Sequence, residues 1–131
     1  MSEPLSWVYV NGLGERETTN AAETDMLTAI SFDTSGEFLA VGDKGGRVII
    51  FRYAQLKNSR YFDFRYFAEF QSHEPGFDHL KSIEVAERIN SLAFIHNTGS
   101  GSLRLISTNE KVIKLWKIDS KTYRQTSGCQ V

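Results

Sequence analysis

The strongest constraint on the fold is a glycine-rich turn followed by an unbroken apolar run. The turn spans Gly42 to Gly46 and includes an aspartate, and the run extends from Val48 to Phe51. Glycine supplies the positive φ angles that a tight hairpin needs, and aspartate bonds back to the local backbone. A strand without polar residues must be covered on both faces. The sequence therefore predicts a hairpin whose second strand is an inner strand between two other layers.

The same pattern returns later in the chain. A polar turn at Asn109–Lys111 precedes a second run at Val112–Ile118, and Trp116 stands where the first unit has Phe51. The lead-in residues also recur, 62 positions further along: Leu27, Ile30 and Phe32 return as Ile89, Leu92 and Phe94. A self-similar unit of short strands is typical of repeat architectures. We therefore expect an all-β fold built from two related units.

The predicted organisation has three parts. Residues 1–24 form an N-terminal strand at Leu5–Val10 and a linker, residues 25–118 form the two units (about 25–72 and 83–118, with a loop between them), and residues 119–131 form a disordered tail. The tail is predicted to be disordered because it has almost nothing apolar to bury. The predicted strands of the units are 26–33, 38–41, 47–53, 61–71, 83–85, 89–95, 103–108 and 112–118, and 72–82 is expected to be irregular.

Composition excludes several classes of protein. The net charge of the 131 residues is −1, so no global field attracts nucleic acid or an anionic membrane. The single cysteine, Cys129, cannot form an internal disulfide, which favours a reducing compartment. No apolar run approaches the ~20 residues of a membrane span. We expect a soluble intracellular protein located in the cytoplasm, with the nucleus as a second location.

Two patterns that resemble ligand sites have simpler interpretations. The glycine-rich turn lacks the Gly-Lys-Ser/Thr ending of a phosphate loop and precedes a strand rather than a helix, so it is interpreted as a hairpin turn. His73, Glu74, Asp78 and His79 offer four metal ligands, but their spacing matches no zinc motif, so a surface loop with hydrogen-bonded histidines is the preferred interpretation.

A third pattern leaves an alternative function open. Residues 60–67 interleave aromatic and basic side chains, as a platform for single-stranded nucleic acid does. Asp63 and Glu69 dilute the positive charge that such a platform needs, so a blade strand that packs its rings is the preferred interpretation. No serine, threonine or cysteine has a recognisable base and orienting group, so we expect no catalytic residues and no enzyme activity. No motif calls for a cofactor or a metal.

The repeat resembles the WD-repeat family, whose unit is a four-stranded propeller blade with an aromatic residue after an apolar run. The residues that carry the resemblance are Lys114-Leu115-Trp116-Lys117 and Ile50-Phe51-Arg52. The aspartate typical of the turn between the second and third strands of a blade is absent from its expected place, where Gly45 and Glu110 stand instead. The resemblance implies an incomplete WD-repeat β-propeller of about two blades, each an antiparallel four-stranded sheet.

Further segments are similar to one family in particular, the B-type regulatory subunits of protein phosphatase 2A. They are Gly42–Phe51, Phe70-Gln71-Ser72-His73-Glu74-Pro75, Phe77-Asp78, Leu80-Lys81-Ser82, Ser107-Thr108-Asn109 and Lys114–Ile118. The resemblance implies a non-catalytic, substrate-targeting subunit in truncated form. The implied partners are the phosphatase scaffold and catalytic subunits and phosphoprotein substrates. An inactive or antagonistic form stays open, as does a single-stranded nucleic-acid-binding β module.

The resemblance also implies a binding surface. In the family, a mixed-charge and acidic top face holds substrates, and the matching positions here are Glu23, Lys44, Glu87 and Arg88. Ala86 stands where the family usually has a second acidic residue, which thins the negative patch. From the residues alone, each of these charges is more simply interpreted as a solvated loop residue.

Overall fold

A computed structural model describes residues 3–14, 22–55, 62–96 and 102–119. These ranges contain no α-helix, and they contain no helix that is long and apolar enough to cross a membrane. In chain order the elements are a 3-10 turn at Glu23–Asp25 and the strands β1 (Leu27–Phe32), β2 (Phe38–Asp43), β3 (Arg47–Gln55), β4 (Phe62–Gln71), β5 (Gly76–Asp78), β6 (Ile83–Val85), β7 (Ser91–Ile95), β8 (Leu103–Thr108) and β9 (Ile113–Ile118). The expected all-β class is confirmed.

The strands form two main sheets and one small ribbon. The first sheet has the order β1-β2-β3-β4 and the second the order β7-β8-β9, and every neighbouring pair is antiparallel. Strands β5 and β6 form a two-stranded ribbon within the connection between the sheets. Neither sheet closes on itself, which agrees with the predicted incomplete propeller. The first sheet has the four strands expected of a blade, and the described part of the second has three.

The core lies between the two sheets. Val48 and Ile50 project from the same face of β3 and are fully buried, as are Ile89 and Leu105 from the second half of the chain. Ile50 pairs with Ala40 on one side and with Ala68 on the other. These small neighbours leave space above the sheet for side chains of the other layer. Burial of each large core side chain stabilises the fold by roughly 1.5–3 kcal/mol.

The opposite face of the first sheet is only partly covered. Ile49 and Phe51 are half-buried, and on β1 Ile30 and Phe32 are 67% and 56% exposed. The prediction that β3 is an inner strand of its sheet is correct. The prediction that both of its faces are covered is correct in part: on the second face Leu39 and Val41 of β2 are buried, but Ile49 and Phe51 beside them are only half-buried.

Sequence periodicity located the strands of both sheets to within about two residues at most ends. The predicted strand at Leu5–Val10 is wrong, because this stretch pairs with no strand in the described part of the chain. Trp7 is 93% exposed there, and directly after this stretch Oδ1 of Asn11 accepts a hydrogen bond from the Phe64 N–H (3.1 Å). A β-prone sequence forms a strand only when a neighbour offers its backbone groups. The predicted tail begins at Asp119, and its residues 120–131 lie outside the described ranges.

The connection between the sheets is more ordered than predicted. Residues 72–82 were expected to be irregular, but Gly76–Asp78 pairs with Ile83–Val85, the latter at the position predicted for a brief strand. After this ribbon the chain crosses to the second sheet through Ile89. The Ile89 N–H donates to the Asp43 carbonyl (3.1 Å), and the Ile89 carbonyl accepts from the Thr28 hydroxyl (2.6 Å). The connection is thus fixed to the first sheet before the second sheet begins.

Candidate functional site

Two glycines allow the connection to lie directly on the β2–β3 hairpin. Gly46 has a φ of +83°, and its carbonyl accepts from the N–H groups of Ser72 (2.9 Å) and His73 (3.0 Å). A Cβ at Gly46 would lie 2.1 Å from the His73 carbonyl oxygen, and one at Gly42 would lie 2.5 Å from Cγ2 of Ile89. Gly46 is therefore required by close backbone approach as well as by its positive φ, whereas Gly42, within β2, is required by the close approach of the Ile89 side chain.

The four predicted site residues come together at this hairpin. Glu23 lies in the 3-10 turn, Lys44 in the β2–β3 turn, and Glu87 and Arg88 in the connection just before Ile89. They line one surface hollow of about 290 Å³, together with Thr24, Ala86 and Glu110. Residues from three separate segments of the chain thus line one hollow, and their role in substrate binding stays a prediction of the family resemblance.

Charge dominates the lining of this hollow. Lys44 donates from Nζ to Oε1 of Glu23. This hydrogen bond, and the attraction between the two charges, lower the pKa of Glu23 below its ordinary value. Three carboxylates and two cations line the hollow, so its own charge is slightly negative. Ala86 contributes a methyl group where a further carboxylate is typical of the resembled family.

A second polar cluster connects the two sheets, and it is centred on His73. The ring is buried, with 2% of the residue exposed, between Ser72 and the Val112 backbone. Nε2 lies 3.0 Å from the Val112 carbonyl oxygen, which can only accept, so Nε2 carries the proton. Nδ1 then accepts from the Ser72 hydroxyl (3.0 Å). Burial lowers the pKa of His73, as does the charge of Lys114, while the Val112 carbonyl opposes the shift.

The cluster continues to the last strand. The hydroxyl oxygens of Ser72 and Ser107 lie 2.6 Å apart, and Trp116 Nε1 donates to both, at 3.0 and 3.1 Å. Because Ser72 gives its proton to His73, the proton of the Ser107 hydroxyl points to Ser72. The prediction of hydrogen-bonded histidines is correct for His73, but the prediction that it lies on a surface loop is wrong, because its ring is buried and bonds to the Val112 carbonyl just before β9. Asp78, another residue of that loop, pairs with Lys111, whose hydrogen bond is the main cause of the lowered Asp78 pKa.

The aspartate of the first turn, Asp43, was expected from the sequence to bond back to the local backbone, but the equivalent role of Asn109 in the second turn was missed. Gly45 and Glu110 were identified as replacing a typical aspartate. The side chains that bond to the backbone of the two turns are instead Asp43 and Asn109, which lie two positions and one position earlier. Oδ1 of Asp43 accepts from the Arg47 N–H (2.9 Å). Oδ1 of Asn109 accepts from the N–H groups of Lys111 (2.9 Å) and Val112 (2.7 Å). An acidic or amide residue at the start of each predicted turn was the available signal.

The aromatic segment of β4 is engaged within the sheet. Phe67 packs edge-on against Phe38 with ring centroids 5.3 Å apart, and Phe64 packs against Phe32 (5.8 Å). Tyr66 is 64% exposed. The expectation that this strand packs its rings is correct for Phe64 and Phe67, whereas Arg60 and Tyr61 lie outside the described residues.

The chain contains two packed antiparallel sheets, and the hairpin turns and the connection meet at one charged end. This arrangement is that of an incomplete β-propeller. No family model matches the chain. Among curated proteins it is 40% identical over 97% of its length to the serine/threonine-protein phosphatase 2A regulatory subunit phr2AB of Dictyostelium discoideum. It is 42% identical over 95% of its length to the B alpha isoform of the 55 kDa phosphatase 2A regulatory subunit of Arabidopsis thaliana.

A third relative, the B-type regulatory subunit of protein phosphatase PP2A from Candida tropicalis, is 44% identical over 82% of the chain. Over about 95% of its length the chain matches 55 kDa B-type regulatory subunits of protein phosphatase 2A at about 40% identity. It spans 27% of the length of the Dictyostelium and Arabidopsis relatives and 21% of the Candida relative. These relatives are regulatory rather than catalytic subunits.

Proposed function

We propose that this chain is a non-catalytic, substrate-targeting part of a protein phosphatase 2A holoenzyme. It acts by protein–protein recognition. Its partners are the phosphatase scaffold and catalytic subunits and phosphoprotein substrates, and it works in the cytoplasm and the nucleus. The observation that carries the proposal is the assembly of Glu23, Lys44, Glu87 and Arg88 in one hollow of a chain whose relatives are regulatory subunits.

Charge is the chemistry of this hollow. Exposed charges set the rate and selectivity of encounter more than the final affinity. The hollow offers both signs within one small volume, so it favours a substrate segment with complementary charges over an apolar ligand. Lys44 and Glu87 carry opposite charges on two different segments, and for this reason they are the best pair for a test.

A charge exchange tests the proposal. The double variant Lys44→Glu, Glu87→Lys keeps the net charge and reverses the pattern. The matched control is Glu37→Arg with Arg52→Glu, an ion pair (2.9 Å) at the other end of β3. The measurement is phosphate release from a mixture of phosphoproteins by the scaffold–catalytic core enzyme, with and without each variant. We expect the first exchange to reduce the effect of the chain on the rate, and the control to preserve it.

Binding to the core enzyme is measured separately by co-precipitation. Stable interfaces bury about 1,600 Å² in total, and two sheets offer only part of such a surface, so we expect weak scaffold binding. Loss of substrate effect with unchanged co-precipitation supports the proposal. Equal behaviour of the two exchanges contradicts the assignment of the hollow. If the chain binds the core enzyme but slows phosphate release, the antagonistic alternative replaces substrate targeting.

A further inference from the structure

Among the described residues, Arg47 contacts three carboxylates from three separate parts of the first sheet and its edge. Its Nε donates to Asp43 (2.8 Å) and its Nη1 to Glu69 (3.2 Å), while Nη2 donates to Asp25. Asp43 is buried, with 1% of its surface exposed, whereas the Arg47 side chain is 36% exposed. Partial burial acts to lower the pKa of Arg47, but the bond and charge of Asp43, with Asp25 and Glu69, outweigh it and raise the pKa.

Each end of this arrangement leads to a residue of the charged hollow. Asp25 closes the 3-10 turn that contains Glu23, and its second oxygen, Oδ2, accepts from the Ala22 N–H (3.1 Å). Asp43 immediately precedes Lys44, and its carbonyl accepts the Ile89 N–H directly after Arg88. The Arg47 guanidinium therefore bonds to the 3-10 turn through Asp25 and to the start of the hairpin turn through Asp43. The backbone carbonyl of Asp43 in turn bonds to the connection at Ile89.

Backbone bonds alone fix the 3-10 turn weakly. The Lys44 N–H donates to the Met26 carbonyl (2.9 Å) and the Gly45 N–H to the Thr24 carbonyl (2.8 Å). Both bonds lie at the exposed edge of the sheet, where short segments open readily. A guanidinium holds several carboxylates in fixed directions, which a single ammonium group cannot do.

We infer that Arg47 is a positioning residue that assembles the charged hollow by fixing the Glu23–Asp25 turn against the β2–β3 hairpin through Asp25 and Asp43. It contacts none of the four candidate residues itself in the described structure. A contribution of Arg47 to substrate capture rests on the proposed function. Its positioning of the Glu23–Asp25 turn can be tested without any ligand.

The test follows the Glu23 carboxyl group by NMR titration of the full chain, because its pKa reports the distance to Lys44. Arg47→Lys keeps the positive charge but loses the fork. We expect the Glu23 pKa to rise to its ordinary value, and exchange of the Lys44 and Gly45 amide hydrogens to accelerate about tenfold, the scale of one charge-assisted hydrogen bond. The matched control is Arg52→Lys, a forked arginine on the same strand bonded to Glu37, which should leave both readouts unchanged.

Asp25→Asn provides a second variant, at an exposed position where folding is not at risk. Removing a nearby negative charge would by itself lower the Glu23 pKa further. A loosened turn would instead raise it, so the two effects have opposite signs. A rise in both variants supports the inference. An unchanged or lowered Glu23 pKa in Asp25→Asn overturns it, whatever substrate experiments show.

Discussion

The two sheets hold their hairpin turns by different chemistry. In the first, an exposed arginine fork connects Asp43 to carboxylates at the sheet edge. In the second, the Asn109 side chain bonds to its own turn and donates to the Ala86 carbonyl (3.0 Å). His73, in the connection, donates to the carbonyl of Val112, the residue directly after this turn. The first anchor is ionic and partly solvated, and the second is neutral and mostly buried. The first should respond to salt and the second to pH and to loss of single hydrogen bonds.

The difference follows from where each turn lies. The β2–β3 turn is at the edge reached by the 3-10 turn, so charged side chains remain in contact with water. In the β8–β9 turn, Asn109 is buried against the connection, where an unpaired charge would be costly and neutral donors and acceptors are favoured, while Glu110 and Lys111 remain exposed. Equivalent positions of a repeat can therefore keep one shape with different interactions.

The largest effect is expected at the point where both anchors meet. Gly46→Ala introduces a Cβ 2.1 Å from the His73 carbonyl oxygen at a φ of +83°. Gly36→Ala has a similar φ of +76° but no atom within 4 Å. We expect Gly36→Ala to cost about 1–2 kcal/mol of unfolding free energy from strain alone, and Gly46→Ala more than about 3 kcal/mol. Urea unfolding of both variants measures these free energies. Equal losses of unfolding free energy would show that the His73 carbonyl does not pack closely against Gly46.

The second prediction concerns the buried hydroxyl of the neutral anchor. Ser107→Ala removes the hydrogen bond that Ser107 donates to Ser72, and it leaves the Trp116 N–H with the Ser72 hydroxyl as its remaining acceptor in this cluster. We expect a loss of about 1–3 kcal/mol in unfolding free energy, because two hydrogen bonds are lost and each contributes roughly 0.5–1.5 kcal/mol. Ser31→Ala, at a half-buried β1 position whose hydroxyl bonds only weakly to the Phe32 carbonyl (3.4 Å), serves as the control. A loss below that of the control would mean that the cluster is not held together by hydrogen bonds.

The third prediction is a pH dependence. The His73 pKa is lowered in the folded state from 6.5, mainly by burial, with Lys114 on β9 as the nearby cation. The unfolded chain therefore binds a proton at a higher pH than the folded chain does. Stability is fully present above about pH 6.5 and decreases as pH falls through the folded-state pKa.

Melting temperatures between pH 7.5 and 5 measure this slope. His73→Gln removes the titrating group and should flatten the slope while lowering stability at pH 7.5. His96→Gln, at an exposed position, is the matched control and should retain the slope. An unchanged slope in His73→Gln would assign the acid sensitivity to another group.

The smallest effect is expected from salt on the ionic anchor. At 1 M salt the screening length is about 3 Å, so the exposed Lys44–Glu23 pair should weaken. The pKa of Glu23, lowered by Lys44, should then move towards its ordinary value of 4.5. Because the folded-state pKa is the lowered one, any stability from this pair is present above pH 4.5 and is lost as pH falls further. NMR titration at 0.05 M and 1 M salt tests this, and His73 should show no comparable change if its anchor is neutral.

Much of this molecule follows from local sequence pattern. Alternation and β-branched runs predict eight of the nine strands near their observed ends, and the recurrence of Leu27, Ile30 and Phe32 predicts two related sheets. The family resemblance predicted that Glu23, Lys44, Glu87 and Arg88 share a surface, and they line one hollow. Periodicity reports which residues can face a core, because side-chain direction repeats with the backbone.

Tertiary structure alone decided the rest. Leu5–Val10 has a strand sequence but has no partner strand among the described residues, and Ile49 and Phe51 are only half-buried although their apolar run implies full cover on both faces. His73 appears as a loop residue in sequence, yet residues more than 30 positions away bury it. Arg47 has no local signal for its role, since its three partners come from separate segments. The sequence by itself determined which side chains are stabilised by burial or by a charge partner. The packing of the connection against both sheets determined which of these side chains are buried or paired.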